Sequence, residues 1–305
     1  MSRAAPITGL FSAIATPVAA DGSLASGIVG RLAEQHVERG VEGIYCCGSS
    51  GESLLLSSAE RRQVLEEVID AVGGIVPVVA HVGAASTRDC LDLARHAAGL
   101  GVAAISMIPP IYYSYSDDEI TRHYTVVMDA VDVPMIVYNI PQFTGREFLA
   151  DHSLLSDPRV AGVKHTAPSM YQLERMAAAH PGLSIINGFD ETYLAATVAG
   201  ARGSIGTTIS LQVDCFKAVR ALLAAGDVAG AQQFQRRIND VIEELVAINV
   251  FPAAKWVEAR LSQLDLGPCR APFAPVMPAD THRLGALIEQ MREDARLAQA
   301  ELARV

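Results

Sequence analysis

Lysine is rare in this chain, and one of its three lysines stands where it could act as a nucleophile. Lys164 closes the apolar run 160–163, so its stem would rise through an apolar interior toward the end of a buried strand. Burial disfavours the charged ammonium and leaves free amine that can attack a carbonyl. The alternative is a buried lysine paired with an acidic residue. Lys217 and Lys255 fall on predicted helices outside that interior, and we expect both at the surface.

Other polar residues with possible chemistry also follow apolar runs. In the turn 48–52, two glycines allow tight turning. Successive N–H groups and the hydroxyls of Ser49 and Ser50 could hold a small carboxylate there, although a plain strand-to-helix turn explains the same pattern. Tyr138 ends another run and could donate or accept a proton, or its hydroxyl could bond a backbone carbonyl.

Two histidines, His81 and His165, also follow such runs. Together with Glu52 or Asp190 they could be considered as metal ligands. The sequence has no H-x-H or H-E-x-x-H spacing, so we do not predict a metal site.

These residues need a scaffold that brings strand ends together. Short apolar runs alternate with longer amphipathic segments, which is typical of β-α units that form a parallel sheet. Most of the runs are apolar on both faces, as strands buried between helices and a filled interior require. The eight runs are 10–15, 43–47, 76–81, 103–108, 135–138, 160–164, 184–187 and 203–206.

The segments between the runs carry helix boundary patterns. Ser57 and Ser116 each stand three residues before a glutamate, the capping-box arrangement, so helices should begin there. Gly40, Gly73 and Gly101 should end three helices, as residues that adopt positive φ commonly do.

Strand-like runs cease after residue 212, and helical segments continue to the C-terminus. The fold class is therefore α/β: a (β/α)8 TIM barrel over residues 1–212, with a C-terminal helical bundle over 213–305. No Gly/Ser linker separates the two parts, so we expect the bundle to pack on the barrel. An open doubly wound sheet is disfavoured because its glycine-rich first turn is absent.

The composition of the chain indicates which partners and which cellular compartment to expect. The 34 acidic and 24 basic residues give a net charge of −10, which argues against nucleic acid. The long uncharged run 97–116 contains glycines and a Pro-Pro pair, so we expect a helix end, a strand and a loop and no membrane span. Five cysteines without a C-x-x-C pair favour a reducing compartment. The stretch 4–20 only faintly imitates a signal peptide. We expect a cytoplasmic protein.

The predicted strand ends resemble those of the N-acetylneuraminate lyase and dihydrodipicolinate synthase superfamily of class I, pyruvate-dependent aldolases. The resemblance covers nearly the whole chain, and its motifs are specific in combination. They are Ala15-Thr16-Pro17, Gly48-Ser49-Ser50-Gly51-Glu52, Ala80-His81-Val82-Gly83, Tyr138-Asn139-Ile140-Pro141, Gly162-Val163-Lys164 and Cys269-Arg270-Ala271-Pro272-Phe273.

The resemblance implies roles for several residues. Lys164 would form an imine with pyruvate, and Ser49 and Ser50 would hold the pyruvate carboxylate. Tyr138 would shuttle the proton at the aldol oxygen, and Tyr112 would reach into a neighbouring subunit's site. The family also implies a homotetramer that uses no metal and no organic cofactor.

The resemblance extends to substrate choice. Gly188, Asp190 and Glu191 resemble the lyase residues that bind the hydroxyls of the polyol tail of a sialic acid. Thr166 matches a threonine near the cleaved bond, and Thr207 matches a serine that binds the tail. Ser50 in place of a threonine, and Thr207 in place of that serine, depart from the lyase pattern.

The synthase pattern fits less well. Synthases carry an arginine where this chain has Phe143, and an apolar side chain cannot pair with the carboxylate of their second substrate. We therefore predict reversible cleavage of N-acetylneuraminate to pyruvate and N-acetylmannosamine. The alternatives are another pyruvate-dependent aldolase or dehydratase of a 2-keto-3-deoxy sugar acid, the synthase, and a non-catalytic sensor of pyruvate or a sugar acid.

Overall fold

A closed barrel of eight parallel strands forms the centre of the protein. The structure is a computed structural model, and it describes residues 6–304. Each strand pairs with the next along the chain, and the eighth pairs with the first. All eight predicted strands are confirmed. They are β1 Gly9–Ala13, β2 Gly43–Cys46, β3 Val78–His81, β4 Ala104–Met107, β5 Met135–Asn139, β6 Val160–His165, β7 Ser184–Asn187 and β8 Gly203–Gly206.

Helices surround the barrel and continue beyond it. Short 3-10 turns cover Ser53–Leu55, Ser153–Ser156 and Asp190–Thr192. The helices are α1 Ile28–Glu38, α2 Ser58–Val72, α3 Thr87–Gly99, α4 Asp117–Met128, α5 Pro141–Thr144, α6 Met170–Ala179, α7 Tyr193–Val198, α8 Ile209–Ala224, α9 Val228–Ile248, α10 Val250–Ser262 and α11 Pro278–Leu302. Within residues 6–304, no helix is both long enough and apolar enough to cross a membrane.

The side chains of each strand alternate between two separate apolar cores. One face of the strands fills the barrel interior, where Phe11, Tyr45 and Ile186 belong to a single cluster. The other face packs against the helices, as Leu10 and Ile44 do. Successive side chains of a strand point to opposite faces, which explains why the runs are apolar throughout.

The predicted helix starts are confirmed, and α2 ends directly before Gly73 as predicted, although Gly73 does not adopt the expected positive φ. Ser57 Oγ accepts a hydrogen bond from Glu60 N at 3.2 Å while the Glu60 carboxylate accepts one from Ser57 N at 2.8 Å. Ser116 caps α4 in the same way. Gly73 follows α2 with a φ of −59°, and the left-handed residue is Gly74, with a φ of +83°. The left-handed turn therefore comes one residue later than predicted.

The C-terminal helices form a bundle with α8. Buried side chains of α9, α10 and α11 make a separate apolar cluster, and all three helices contact α8. Gln212 in α8 has non-helical angles, with φ −136° and ψ 26°, so the predicted boundary at residue 212 falls at a kink within a helix. The division into two domains stays a prediction.

The prediction that Lys255 lies at the surface is wrong. Its side chain is 3% exposed, and its Nζ donates to Glu52 Oε1 and to the Pro268 carbonyl, each at 2.8 Å. The reason is that α10 packs across the barrel mouth with Lys255 facing inward. Lys217, on α8, is half-buried near Gly40.

Candidate active site

Lys164 lies inside the barrel, at the end of β6. In the strand register it stands beside Tyr138 of β5. Its Nζ is 4.1 Å from the centroid of the Tyr138 ring and 4.3 Å from that of Tyr45. The residue is 4% exposed, and within residues 6–304 no carboxylate forms an ion pair with it. The lysine with a buried acidic partner is instead Lys255, so the amine of Lys164 is available for chemistry.

The two tyrosines around this amine differ in their hydroxyls. The Tyr45 hydroxyl donates to Ser106 Oγ at 3.1 Å, and burial raises its pKa well above the usual value. Tyr45 is therefore a neutral wall of the site. In the described part of the chain no protein group hydrogen-bonds the hydroxyl of Tyr138, which lines the cavity. Tyr138 is thus the tyrosine placed to exchange a proton with a ligand.

The two histidines considered as metal ligands have other roles. His81 Nδ1 lies 3.0 Å from the Cys47 carbonyl, and burial, assisted by Arg61 and Lys164, holds its pKa well below the usual value. His81 is therefore neutral and donates to that carbonyl. His165 bonds Asn139 and the Ser169 carbonyl. The described residues contain no group of three or more side chains suited to hold a metal ion.

The turn 48–52 forms one wall of the cavity. Ser49 and Ser50 are half-buried and line it. Ser50 Oγ and Thr207 Oγ1 are hydrogen-bonded at 2.7 Å. This bond joins the turn after β2 to the loop after β8, so the two positions that depart from the lyase pattern contact each other.

Asp190 is held by the loop after β8. Its Oδ2 accepts from the N and the Oγ1 of Thr208, both at 2.8 Å, while Oδ1 is buried without a partner in the described residues. Burial raises the pKa of Asp190 to about 6, against the lowering effect of Thr208. A Cβ at Gly206 would come within 1.6 Å of Oδ1, so only glycine leaves room for this carboxylate.

Thr166 and Gly188 are also fitted to one another. Thr166 Oγ1 is buried without a partner in residues 6–304, and a Cβ at Gly188 would lie 1.8 Å from it. Glycine at 188 therefore leaves the threonine hydroxyl in place beside the cavity, as an unused donor and acceptor.

One cavity collects most of the predicted residues. It is lined by Ser49, Ser50, Tyr138, Lys164, Thr166, Gly188, Asp190, Glu191 and Thr207. Lys164 is the one basic side chain among the described lining residues, whereas Asp190 and Glu191 are acidic. Phe143 lines the cavity at the position where synthases carry arginine. The lining therefore favours hydroxyl groups over a second carboxylate.

Sequence reasoning missed part of this lining. Tyr45 forms a wall around Lys164 although nothing in its run distinguished it from core. Ile242 and Val246 of α9, and Val250 and Phe251 of α10, close the cavity from the C-terminal helices. Helical periodicity identifies the apolar face of a helix, but it does not show which surface covers that face.

Tyr112 is the predicted site residue that the chain does not bring to this cavity. It follows β4, is 93% exposed and has a φ of +82°. Its ring packs edge-on against Tyr113 at 5.0 Å between centroids. Its predicted role in a neighbouring subunit's site stays a prediction.

Comparison with known proteins places this geometry in a family. Residues 6–291 match the Dihydrodipicolinate synthetase family. The chain belongs to this family. It is 42% identical to the N-acetylneuraminate lyase of Rhizobium meliloti, over 90% of this chain and 92% of that protein. It is 36% identical to the N-acetylneuraminate lyase of Salmonella paratyphi B, over 94% of this chain and 98% of that protein.

A solved structure with the same fold is similar to this chain over nearly its whole length. The catalytic lysine mutant of Ruminococcus gnavus sialic acid aldolase superposes with a TM-score of 0.91 and 29% identity. The superposition covers 95% of this chain and 97% of that one. The chain therefore shares its whole architecture, barrel and C-terminal helices, with a sialic acid aldolase.

Proposed function

We propose that this protein is a class I aldolase that reversibly cleaves N-acetylneuraminate to pyruvate and N-acetylmannosamine. The observation that carries the proposal is the buried amine of Lys164, which lies between two tyrosine rings at the cavity floor without an acidic partner in residues 6–304. The named relatives, which include two N-acetylneuraminate lyases and a sialic acid aldolase with a catalytic lysine, support the same reaction.

The chemistry follows from the position of the amine. Lys164 attacks the ketone carbon of the open-chain sugar acid, water leaves, and a protonated imine forms. The carbon–carbon bond beyond the adjacent methylene then breaks, and the imine accepts its electron pair. Tyr138 relays the proton of the hydroxyl that becomes the aldehyde of N-acetylmannosamine. Protonation of the resulting enamine and attack by water release pyruvate and restore the free amine.

The remaining lining residues divide between the two halves of the substrate. We assign the pyruvate carboxylate to Ser49 and Ser50, because the turn offers N–H groups and hydroxyls beside Lys164. Asp190, Glu191 and Thr207 lie on the loops after β7 and β8 and are assigned to the sugar hydroxyls. Thr166 and Gly188 are assigned to the substrate near the cleaved bond.

The synthase reaction is not favoured by this cavity. Its second substrate carries a carboxylate that needs a cation, and Phe143 supplies none. A non-catalytic sensor would not require a buried amine without an ion pair. Other 2-keto-3-deoxy sugar acids differ from N-acetylneuraminate mainly in the half that contacts Asp190 and Glu191.

Trapping and turnover test the proposal together. Borohydride reduction in the presence of pyruvate should add a reduced pyruvate group to Lys164, detected by peptide mass, and Lys164→Met should add none. Pyruvate release should be faster from N-acetylneuraminate than from a panel of keto-deoxy acids. An untrapped wild-type protein, or turnover confined to another acid, would overturn the assignment.

Assembly, cofactor use and compartment are part of the same proposal. We infer a homotetramer in which exposed Tyr112 reaches a neighbouring subunit's site, since its own chain leaves it outside the cavity. The imine mechanism needs neither a metal nor an organic cofactor. A cytoplasmic location is consistent with five cysteines that are all free and buried.

A further inference from the structure

The turn that lines the pyruvate half of the cavity is bounded by two residues in an unusual conformation. Cys47 and Glu52 both have a φ of +57° although neither is glycine. Non-glycine residues adopt this left-handed region at a cost, and they keep it where surrounding contacts hold them. The geometry of Ser49 and Ser50 therefore depends on what holds the two ends of the turn.

Each end is held by a buried polar contact. At the first end, His81 Nδ1 bonds the Cys47 carbonyl at 3.0 Å. At the second end, both oxygens of the Glu52 carboxylate are used. Oε1 accepts from Lys255 Nζ at 2.8 Å, and Oε2 accepts from the backbone N of Arg270 at 2.6 Å.

The Glu52 contact is an ion pair removed from solvent. The Glu52 side chain is 1% exposed and that of Lys255 is 3% exposed. Lys255 Nζ also donates to the Pro268 carbonyl at 2.8 Å. A buried pair of this kind adds little stability compared with well-packed apolar side chains. Here the pair holds the end of the turn in a fixed position relative to α10 and to the segment that follows α10.

We propose that Lys255 is a positioning residue of the aldolase: through Glu52 it fixes the turn 48–52 so that Ser49 and Ser50 present their N–H groups and hydroxyls to the pyruvate carboxylate. This inference rests on the proposed function, because it assumes that pyruvate binds beside Lys164. Lys255 touches neither substrate nor the reacting atoms. Its effect is therefore on carboxylate recognition and not on the amine of Lys164.

The test compares two carbonyl compounds that differ in the carboxylate. Borohydride trapping on Lys164 is measured against concentration for pyruvate and for hydroxyacetone, which has a ketone but no carboxylate. Lys255→Met should raise the half-saturating pyruvate concentration about tenfold to a hundredfold, as small misplacements of a binding group do. Trapping of hydroxyacetone should stay close to wild type. Equal losses for both compounds would show a general structural defect and would overturn the proposal.

A matched control lies on the same helix. Glu258 of α10 is also buried in an ion pair, and its Oε1 accepts from Arg39 Nη1 at 2.6 Å. Arg39→Met breaks that pair without touching the turn, and its preference for pyruvate over hydroxyacetone should match wild type. If Arg39→Met loses the preference as Lys255→Met does, the effect does not run through Glu52 and the proposal fails.

A second variant covers the case in which Lys255→Met does not fold. Glu52→Gln combined with Lys255→Met removes both charges, so no unpaired charge is left buried. The double variant should fold and still bind pyruvate weakly. Recovery of wild-type pyruvate half-saturation would show that the pair is dispensable for positioning. If the wild-type protein itself traps no pyruvate, the proposed function fails. If Lys255→Met and the double variant both trap pyruvate as the wild-type protein does, the proposed function stands and only the positioning role of Lys255 is overturned.

Discussion

Ser50 and Thr207 show how two departures from a family pattern can belong together. The resemblance has a threonine at the first position and a serine at the second, and this chain has the reverse. Their hydroxyls are hydrogen-bonded at 2.7 Å, so the link between the two loops needs only the two hydroxyls and not a particular placement of the methyl group. Under the proposed function, the exchange moves one methyl group from the pyruvate half of the cavity toward the sugar half.

Asp190 is the lining residue whose charge should change within the working pH range. Burial raises the pKa of its carboxyl to about 6, so the group is ionised at neutral pH and protonated in mild acid. Thr208 already uses Oδ2, and the ionised carboxylate can accept a hydrogen bond from a sugar hydroxyl with Oδ1. We expect KM for N-acetylneuraminate to rise as the pH falls from about 7 to about 5.

Asp190→Asn should remove this pH dependence and leave KM high throughout the range. The measurement is steady-state cleavage across pH, alongside the half-saturation of pyruvate trapping. Pyruvate should show no matching change near pH 6. A KM that stays constant with pH in the wild-type protein would contradict the assignment of Asp190 to the sugar.

Among the elements, α10 makes several long-range polar contacts to residues of the barrel and its surrounding helices. Glu258 on this helix bonds Arg39 and Ser210 and lies 3.4 Å from His36. Burial on its own would raise the pKa of Glu258, but His36, Arg39 and Ser210 lower it from 4.5 to about 2. A carboxyl with a lowered folded-state pKa adds stability above its unfolded pKa, and this stability disappears as the pH falls through the folded value.

Glu258→Gln should therefore lower the free energy of unfolding by about 3 kcal/mol at neutral pH. The difference from wild type should shrink between pH 4.5 and about 2, the window set by this shift. Denaturant unfolding at a series of pH values measures it. Glu289→Gln, which breaks an exposed pair with Arg292, is the control and should change little. A difference that is constant with pH would count against the ion pair.

The elements themselves were predictable because each depends on local pattern. The strands are buried on both faces, so their apolar runs stand out between polar helices. Capping boxes at Ser57 and Ser116 mark helix starts through contacts only three residues apart. The pair Gly73 and Gly74 shows the limit, since either of two successive glycines can take the left-handed position and the sequence does not say which one does.

For the whole molecule, the site residues at the strand ends could be predicted from the sequence. The surface of α9 and α10 that covers the cavity could not. Lys164 and Tyr138 meet because adjacent parallel strands end at one mouth. Lys255 contacts Glu52, which lies 203 residues earlier in the sequence. Hydrophobic periodicity carries no information about contacts between residues so far apart. The cavity wall from α9 and α10 was missed for the same reason. Local pattern therefore predicts the strands of the barrel, but it does not distinguish Tyr45 from core and it does not show where the C-terminal helices cover the cavity.

The position of Tyr112 predicts a contact between subunits. It is 93% exposed with a φ of +82°, and it does not line the cavity of its own chain. Contact with the ring of Tyr113, which is itself 69% exposed, offsets little of the cost of this backbone conformation. Burial in a neighbouring subunit's site would offset more of it. We expect a particle of four chains of 32.3 kDa each by light scattering, and reduced turnover in Tyr112→Ala.

Mixing two inactive variants tests whether the tyrosine acts between subunits. Lys164→Ala lacks the amine and Tyr112→Ala lacks the tyrosine, so neither homo-oligomer should cleave N-acetylneuraminate well. After dissociation and reassembly together, a site with its own Lys164 and a neighbour's Tyr112 becomes complete. Random pairing restores about a quarter of the wild-type sites. If Tyr112 acts only within its own chain, no mixed site is complete and activity does not return.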